Sequence, residues 1–346
     1  MKKGTLYTAH SLSPLPPIGK QLEAVVHQTA SQFGLGTFAD SLATSATPSI
    51  LLAPVDHPSP HTRHQAGGLP LVTEHFQWPE PMSFLAQIDL GQLPIPLHPA
   101  LPDEGLLQFF YDAEKQEDGP CGGRERQGSI LWTHGATVHP APAPQTLTER
   151  NQDGVFHPLA YEAFPGISIS PMDGYPMESS AHTPTSDDWK NHDKLVRDLR
   201  AMAAPTRAKA RGRHGIVRDE DWLQMGGHVR YFRDAGGYNY LLGAILEKHG
   251  LVREFAWGAA KVRKQIEQYG DTIPDWCAML KIQVGIFERH QQAFRQEADE
   301  LVLLLQVPTL NRLGAVFGDD HFVSYVIPRD DLAHQRFDQA WVMTHP

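Results

Sequence analysis

Residues 66–112, AGGLPLVTEHFQWPEPMSFLAQIDLGQLPIPLHPALPDEGLLQFFYD, constrain the fold more than any other part of the chain. Gly67-Gly68 ahead of Pro70 punctuates a turn, because glycine admits positive φ and proline fixes its own. In residues 83–90 the apolar Phe84, Leu85, Ala86, Ile88 and Leu90 outnumber the polar Gln87 and Asp89. So dense a run predicts a buried strand rather than a surface one. A loop with Pro94, Pro96, Pro99 and Pro102 separates it from residues 106–111, LLQFFY, a second strand of strong β-formers. Gln87 and Gln108 stand inside these apolar runs. A buried amide left unpaired costs about 1–3 kcal/mol, so each is expected to clip the backbone of a neighbouring loop.

These segments, Gly-Gly-Leu-Pro, Trp78-Pro79, Ser-Phe-Leu-Ala-Gln-Ile-Asp-Leu and Gly-Leu-Leu-Gln-Phe-Phe-Tyr-Asp, resemble the bacterial YwqG-like domain-of-unknown-function family. The C-terminal segments agree with it: Leu303 to Val307, Phe317-Gly318-Asp319, Tyr325-Val326-Ile327, Asp331-Leu332 and Phe337 to Val342. The resemblance brackets the chain and implies one domain over residues 1–346. The middle departs from the family. Met225-Gly226-Gly227-His228-Val229 is a loose echo of a His…Gly-Gly-Tyr-Pro turn, and residues 234–298 have no counterpart in it.

The rest of the chain fits an α+β fold: a mainly antiparallel β-sheet core with peripheral helices and a helical insertion at 234–298. Residues 21–33 place Leu22, Val25, Val26, Ala30 and Phe33 on one helical face, ended by Gly34 and Gly36. Residues 49–55 read as a strand, which the resemblance would make the feed into the Gly67-Gly68 turn. Strands are also expected at 129–133, 166–170, 300–307, 321–327 and 339–343. Asp187 and Asp188 open a helix carrying Leu195, Leu199 and Met202. Within the insertion, helices are expected at about 241–250, at 252–269 and from Pro274 onward.

Composition sets outer bounds. With 346 residues, 41% of them hydrophobic, the chain can bury a substantial core. No run approaches the roughly 18 apolar residues of a membrane span, and no apolar signal segment precedes Pro14. Cys121 and Cys277 are too few for a disulfide framework, so a reducing cytoplasm is the expected home. A net charge of −10 disfavours general nucleic-acid binding and suits either plain solubility or a basic partner.

Motifs that carry chemistry are weak. His57, His61 and His64 have a spacing that would suit a metal on a helix, but Pro58 and Pro60 argue for a solvated loop. Cys121 lies in a polar, glycine-rich segment without the strand–helix setting of a nucleophile. Ser168 and Ser170 lack a nucleophile elbow. Arg207, Lys209, Arg211, Arg213 and Arg218 form a basic run without interleaved aromatics. Asp319 and Asp320 are the best carboxylate cluster and read as turn residues. Gly226-Gly227 is no phosphate loop.

No catalytic, cofactor or metal residue is therefore assigned. The leading expectation is a non-catalytic interaction protein. Some YwqG-like proteins are associated with toxin–immunity loci, and that resemblance implies a cytoplasmic immunity protein that neutralises a cognate antibacterial toxin, of nuclease type if charge guides the encounter. Two alternatives stand beside it. One is a hydrolase-like enzyme with His228, Gln306, Asp319 and His321 gathered in a cleft. The other is a regulatory scaffold with a different protein partner.

Overall fold

The strand pair expected between residues 83 and 111 is part of a ten-stranded antiparallel sheet in the computed structural model, which describes residues 20–56, 61–112, 128–134, 138–148, 155–170, 183–203, 222–229, 237–310, 313–314, 317 and 322–345. The strands are β1 (Thr47–Val55), β2 (Gln65–Ala66), β3 (Leu71–Val72), β4 (Ser83–Asp89), β5 (Leu106–Tyr111), β6 (Gly128–Thr133), β7 (His139–Pro140), β8 (Leu159–Ser168), β9 (Leu223–Met225), β10 (Leu301–Pro308), β11 (Phe322–Pro328) and β12 (Trp341–His345). The helices are α1 (Lys20–Gln32), α2 (Ala39–Ser45), α3 (Gln145–Thr148), α4 (Ser186–Ala203), α5 (Gly237–Lys248), α6 (Ala259–Tyr269), α7 (Pro274–Asp299) and α8 (Arg329–Ala333). The sheet order is β12-β11-β10-β9-β1-β8-β2-β4-β5-β6, and β3 pairs with β7 separately. The fold is α+β, as the sequence predicts.

One expectation about connectivity fails. β1 does not feed the Gly67-Gly68 turn; the two-residue β2 does. β1 lies mid-sheet, hydrogen-bonded to β8 along its whole length and to β9 on its other edge. Ile50, Leu51, Leu52 and Ala53 are all buried. A run apolar on both faces needs cover on both faces and neighbours on both edges, which a peripheral position does not supply.

The sheet order reveals two halves built alike. Gln65-Ala66-Gly67-Gly68 ends β2, and Gln224-Met225-Gly226-Gly227 ends β9. Both glycine pairs have positive φ, +65° and +70° in the first, +63° and +71° in the second. β2 pairs with β4 and β9 with β10, and both partner strands carry a bulge, between Phe84 and Ala86 and between Leu303 and Leu305. Gln65 faces Gln87, which faces Gln108; Gln224 faces Gln306, which faces Ser324. Each half closes with one more antiparallel strand, β6 or β12. Between β2 and β4 the chain runs through a loop and the short β3, whereas between β9 and β10 it runs through α5, α6 and α7.

The sheet curls until its two edge regions meet. Phe109 and Tyr111 of β5 point to the same interior as Val323, Tyr325 and Ile327 of β11. The Phe109 and Tyr325 rings lie 5.0 Å apart, edge to face. This interior is the main core, and it also takes in Ile50, Leu52, Leu85, Ile88, Leu305 and Val307.

Helices cover the outside in two groups. α1, α2 and α4 pack Val26, Ala30, Leu42, Leu195 and Leu199 together, with Ile169 beyond the end of β8. At the start of α4, Thr185 Oγ1 accepts from the Asp188 backbone N–H and donates to its carboxylate, 2.6 Å away. In the second group Leu242, Ile245, Phe255, Val262, Leu280 and Phe287 form a core of their own. Ala244 of α5 also joins Leu303, Val326 and Met343 on the outer face of the sheet. The single helix expected at 252–269 is in fact two pieces. A 3-10 turn, Arg253–Trp257, precedes Gly258, whose φ of +98° breaks the rise before α6.

Candidate functional site

The polar side chains of the sheet gather at the two Gly-Gly turns. In the first half the backbone N–H of Leu71 donates to Gln87 Oε1 at 2.8 Å, and Gln87 Nε2 donates to the Arg63 carbonyl at 3.0 Å. Gln108 Nε2 donates to the Leu71 carbonyl at 2.6 Å, and Thr133 donates to Gln108 Oε1 at 2.9 Å. Gln65 Nε2 reaches the carbonyl of Leu69 at 2.7 Å. The expected clipping role of Gln87 and Gln108 holds, and Gln65 shares it. An amide presents a donor and an acceptor about 2 Å apart, so one side chain can seize a loop at two points.

The same device recurs in the second half. Gln224 Nε2 donates to the carbonyls of Gly226 and His228, each at 3.0 Å, and Gln306 Nε2 donates to Ser324 Oγ at 2.9 Å. The turns need glycine on two counts. A Cβ on Gly67 would collide with the His157 carbonyl and one on Gly227 with the Ser168 side chain, quite apart from their positive φ.

The second turn joins a cluster of serines and histidines where α2, α4 and the end of β8 converge. His228 Nε2 lies 2.7 Å from the Ser45 carbonyl, and the His228 backbone N–H donates to Ser168 Oγ at 2.9 Å. His192 Nε2 lies 3.2 Å from the Ser170 carbonyl. The Ser170 N–H donates to Ser45 Oγ at 3.0 Å, and Ser45 Oγ in turn donates to the Leu42 carbonyl at 2.8 Å. A carbonyl only accepts, so both imidazoles carry their proton on Nε2. Burial holds both below the ordinary histidine pKa, against the pull of those carbonyls. Neutral imidazoles fixed in this way act as struts between helix and sheet. A serine nucleophile needs its Oγ within reach of an imidazole nitrogen; here Ser168 Oγ faces the backbone of His228 instead.

The other candidates divide. His64 is not in the solvated loop expected of it: it is 3% exposed, and its Nδ1 accepts from the Asp89 N–H at 3.2 Å. Burial lowers its pKa as well, opposed by Asp89. His61 is exposed, and His57 lies outside the described residues. No group of three metal-capable side chains occurs among the described residues. For the proposed cleft, His228 and Gln306 are both linked to Gln224, which pairs with Gln306 across the strands and holds the His228 carbonyl. Asp319, Asp320 and His321 lie outside the described residues, as do Cys121 and the basic run from Arg207 to Arg218. An open cleft of about 440 Å³ occurs elsewhere, beside Gln291, Gln292, Arg295, Gln296 and Asp299 of α7. No helix among the described residues is long and apolar enough to cross a membrane.

Sequence reasoning passed over Gln65, Gln224, Ser45 and His192. The first two had a readable signal, because Gln-x-Gly-Gly occurs at both 65–68 and 224–227. Ser45 and His192 had none, since their meeting depends on tertiary packing.

The first of these turns also marks where kinship begins. A family model for a domain of unknown function, DUF1963, matches residues 65–345. The chain belongs to this DUF1963 family. No curated protein matches it. The matched span starts at Gln65, the first clipping glutamine, and includes both glutamine ladders and the helices α5 to α7 of this family member.

Proposed function

We propose that the chain acts by binding another protein rather than by catalysis, in the cytoplasm. The finer reading is that it neutralises a cognate antibacterial toxin with a basic active cleft. The toxin part rests on the YwqG-like resemblance and its association with toxin–immunity loci. The observation that carries the binding reading is where the acidic charge sits. Residues 1–112 hold nine Asp and Glu against four Lys and Arg, whereas residues 237–300 hold nine against eight. Glu74, Glu80, Asp103 and Glu104 are exposed on the loops flanking β4 and β5. The first of these loops follows the segment that Gln87 and Gln108 grip at Leu71. Acidic loops held in place before the encounter reduce the ordering cost of association and steer a basic partner.

The test is co-expression with the toxin encoded beside this chain, with growth and co-purification as readouts. Protection and a salt-sensitive complex are expected. Glu74→Lys, Glu80→Lys, Asp103→Lys and Glu104→Lys together should slow association at least tenfold while leaving the thermal unfolding of the free protein nearly unchanged. A chain that neither protects nor co-purifies would remove the toxin reading, and a complex indifferent to salt and to these reversals would remove the acidic surface.

A further inference from the structure

The two Gly-Gly halves are related by a two-fold axis through the middle of the sheet. Gln65 and Ala66 of β2 pair with Ala160 and Leu159 of β8, whereas Gln224 and Met225 of β9 pair with Leu51 and Ile50 of β1. The two glutamines are equivalent, so Leu51 is equivalent to Ala160 and, further along, Val55 to Phe164. The β1–β8 ladder pairs Leu51 with Phe164 and Val55 with Ala160. Exchanging the two strands therefore maps this ladder onto itself, with the axis passing between Ala53 and Glu162.

The equivalence breaks in chain order. The first half takes all five of its strands, β2, β4, β5, β6 and β8, from residues 65–168 in sequence. The second takes β9 to β12 from residues 223–345, but the strand that completes it is β1, from residues 47–55 ahead of both halves. β1 also precedes the family match, which starts at residue 65. It arrives with α1 and α2, whose Val26, Ala30 and Leu42 pack on Leu195 and Leu199 of α4.

The place that β1 fills has definite demands. Ile50 and Leu52 enter the main core on one face, while Leu51 and Ala53 meet Trp222 and Phe164 on the other. Leu51 crosses over Gly166 of β8, where a Cβ would lie 2.8 Å from Leu51 Cγ. With β1 withdrawn, β8 and β9 would each present a bare edge, and the slot between them would take an extended strand apolar on both faces.

We infer that the slot between β8 and β9 is a strand-binding site and that residues 20–56 are its ligand, an arm that docks and leaves as a unit. The rest of each half holds its strands through the ladders that do not involve β1. The inference is independent of the toxin reading and of the acidic loops.

Hydrogen exchange of the intact chain reads the docking directly. Amides of β1, and those of β8 and β9 that face it, should exchange as one group, at least tenfold faster than those of β4, β5, β10 and β11. A specific protease site inserted between Asp56 and His61, both exposed, then cuts the arm's covalent link. The cut chain should keep its arm, its melting temperature should rise with added fragment 1–56, and a labelled fragment should replace the bound one in native buffer. Gly166→Ala should weaken binding of the fragment at least fivefold. Exchange of β1 only together with the whole sheet, or a cut chain indifferent to added fragment, overturns the inference. A fragment that binds the Gly166→Ala chain as well as the parent overturns the slot as its site.

Discussion

The hydroxyl of Tyr325 in β11 donates a 2.9 Å hydrogen bond to the backbone carbonyl of Phe110 in β5, across 215 residues of sequence. Each strand is next to an edge strand at opposite ends of the ten-strand order, so this bond spans the gap across which the sheet curls. Tyr325 is fully buried, and burial pushes its hydroxyl well above the ordinary tyrosine pKa, so it is a donor at neutral pH. Tyr325→Phe keeps the ring against Phe109 and strands the carbonyl. A loss of about 1–3 kcal/mol is expected, read from urea unfolding midpoints with an unchanged slope.

Gly128 begins β6 at that same meeting of edges. A Cβ there would lie 2.6 Å from the Phe110 carbonyl oxygen and 2.7 Å from Val342 Cγ2 of β12. The requirement is steric closeness, and nothing local absorbs it, because one obstacle is backbone. Gly128→Ala should destabilise by about 1–3 kcal/mol, the usual range for overpacking. Combining it with Tyr325→Phe should give less than the sum, because the two residues share one contact. Strict additivity in a double-mutant cycle would show that the edges close independently of one another.

The glutamine clips make a separable prediction. Gln87→Leu removes an acceptor for Leu71 N–H and a donor for the Arg63 carbonyl at one stroke. Amide exchange should accelerate in residues 61–72 while β10 and β11 stay protected, since the damage is local. Gln224→Leu should do the same around residues 226–229 in the other half. If either change instead raised exchange evenly over the whole sheet, the clips would be general core contacts rather than loop anchors.

What the sequence disclosed and what it hid follow from how far each feature reaches. β4 and β5 were legible because their apolar runs are long and bounded by Gly and Pro. The amide roles of Gln87 and Gln108 were legible because a polar group in such a run must find a partner. The position of β1 was not, since its neighbours β8 and β9 lie more than a hundred residues downstream and no local signal names them. His64 was misjudged because Pro58 and Pro60 speak for residues near them, not for the ring that turns under the Asp89 N–H.

Two buried histidines, His64 and His192, and the half-buried His228 give the fold an acid limit. His64, His192 and His228 all have pKa values lowered from 6.5, with burial the leading cause in each. The unfolded chain therefore takes up protons first as pH falls, so stability is fully present above about 6.5 and is lost as pH drops through that value toward the lower folded-state pKa values. Glu247 works the other way, because burial pushes its carboxyl up to about 7, and the folded state gains protons between there and the ordinary 4.5. Its single contribution offsets part of the histidine loss. His192→Gln with His228→Gln separates the two, since each amide can still donate to the carbonyls of Ser170 and Ser45. The double variant should start less stable at pH 7.5 and lose markedly less than the parent between pH 7.5 and 5.5 in urea midpoints. Equal losses in parent and variant would mean that protonation of these two rings does not drive the acid response.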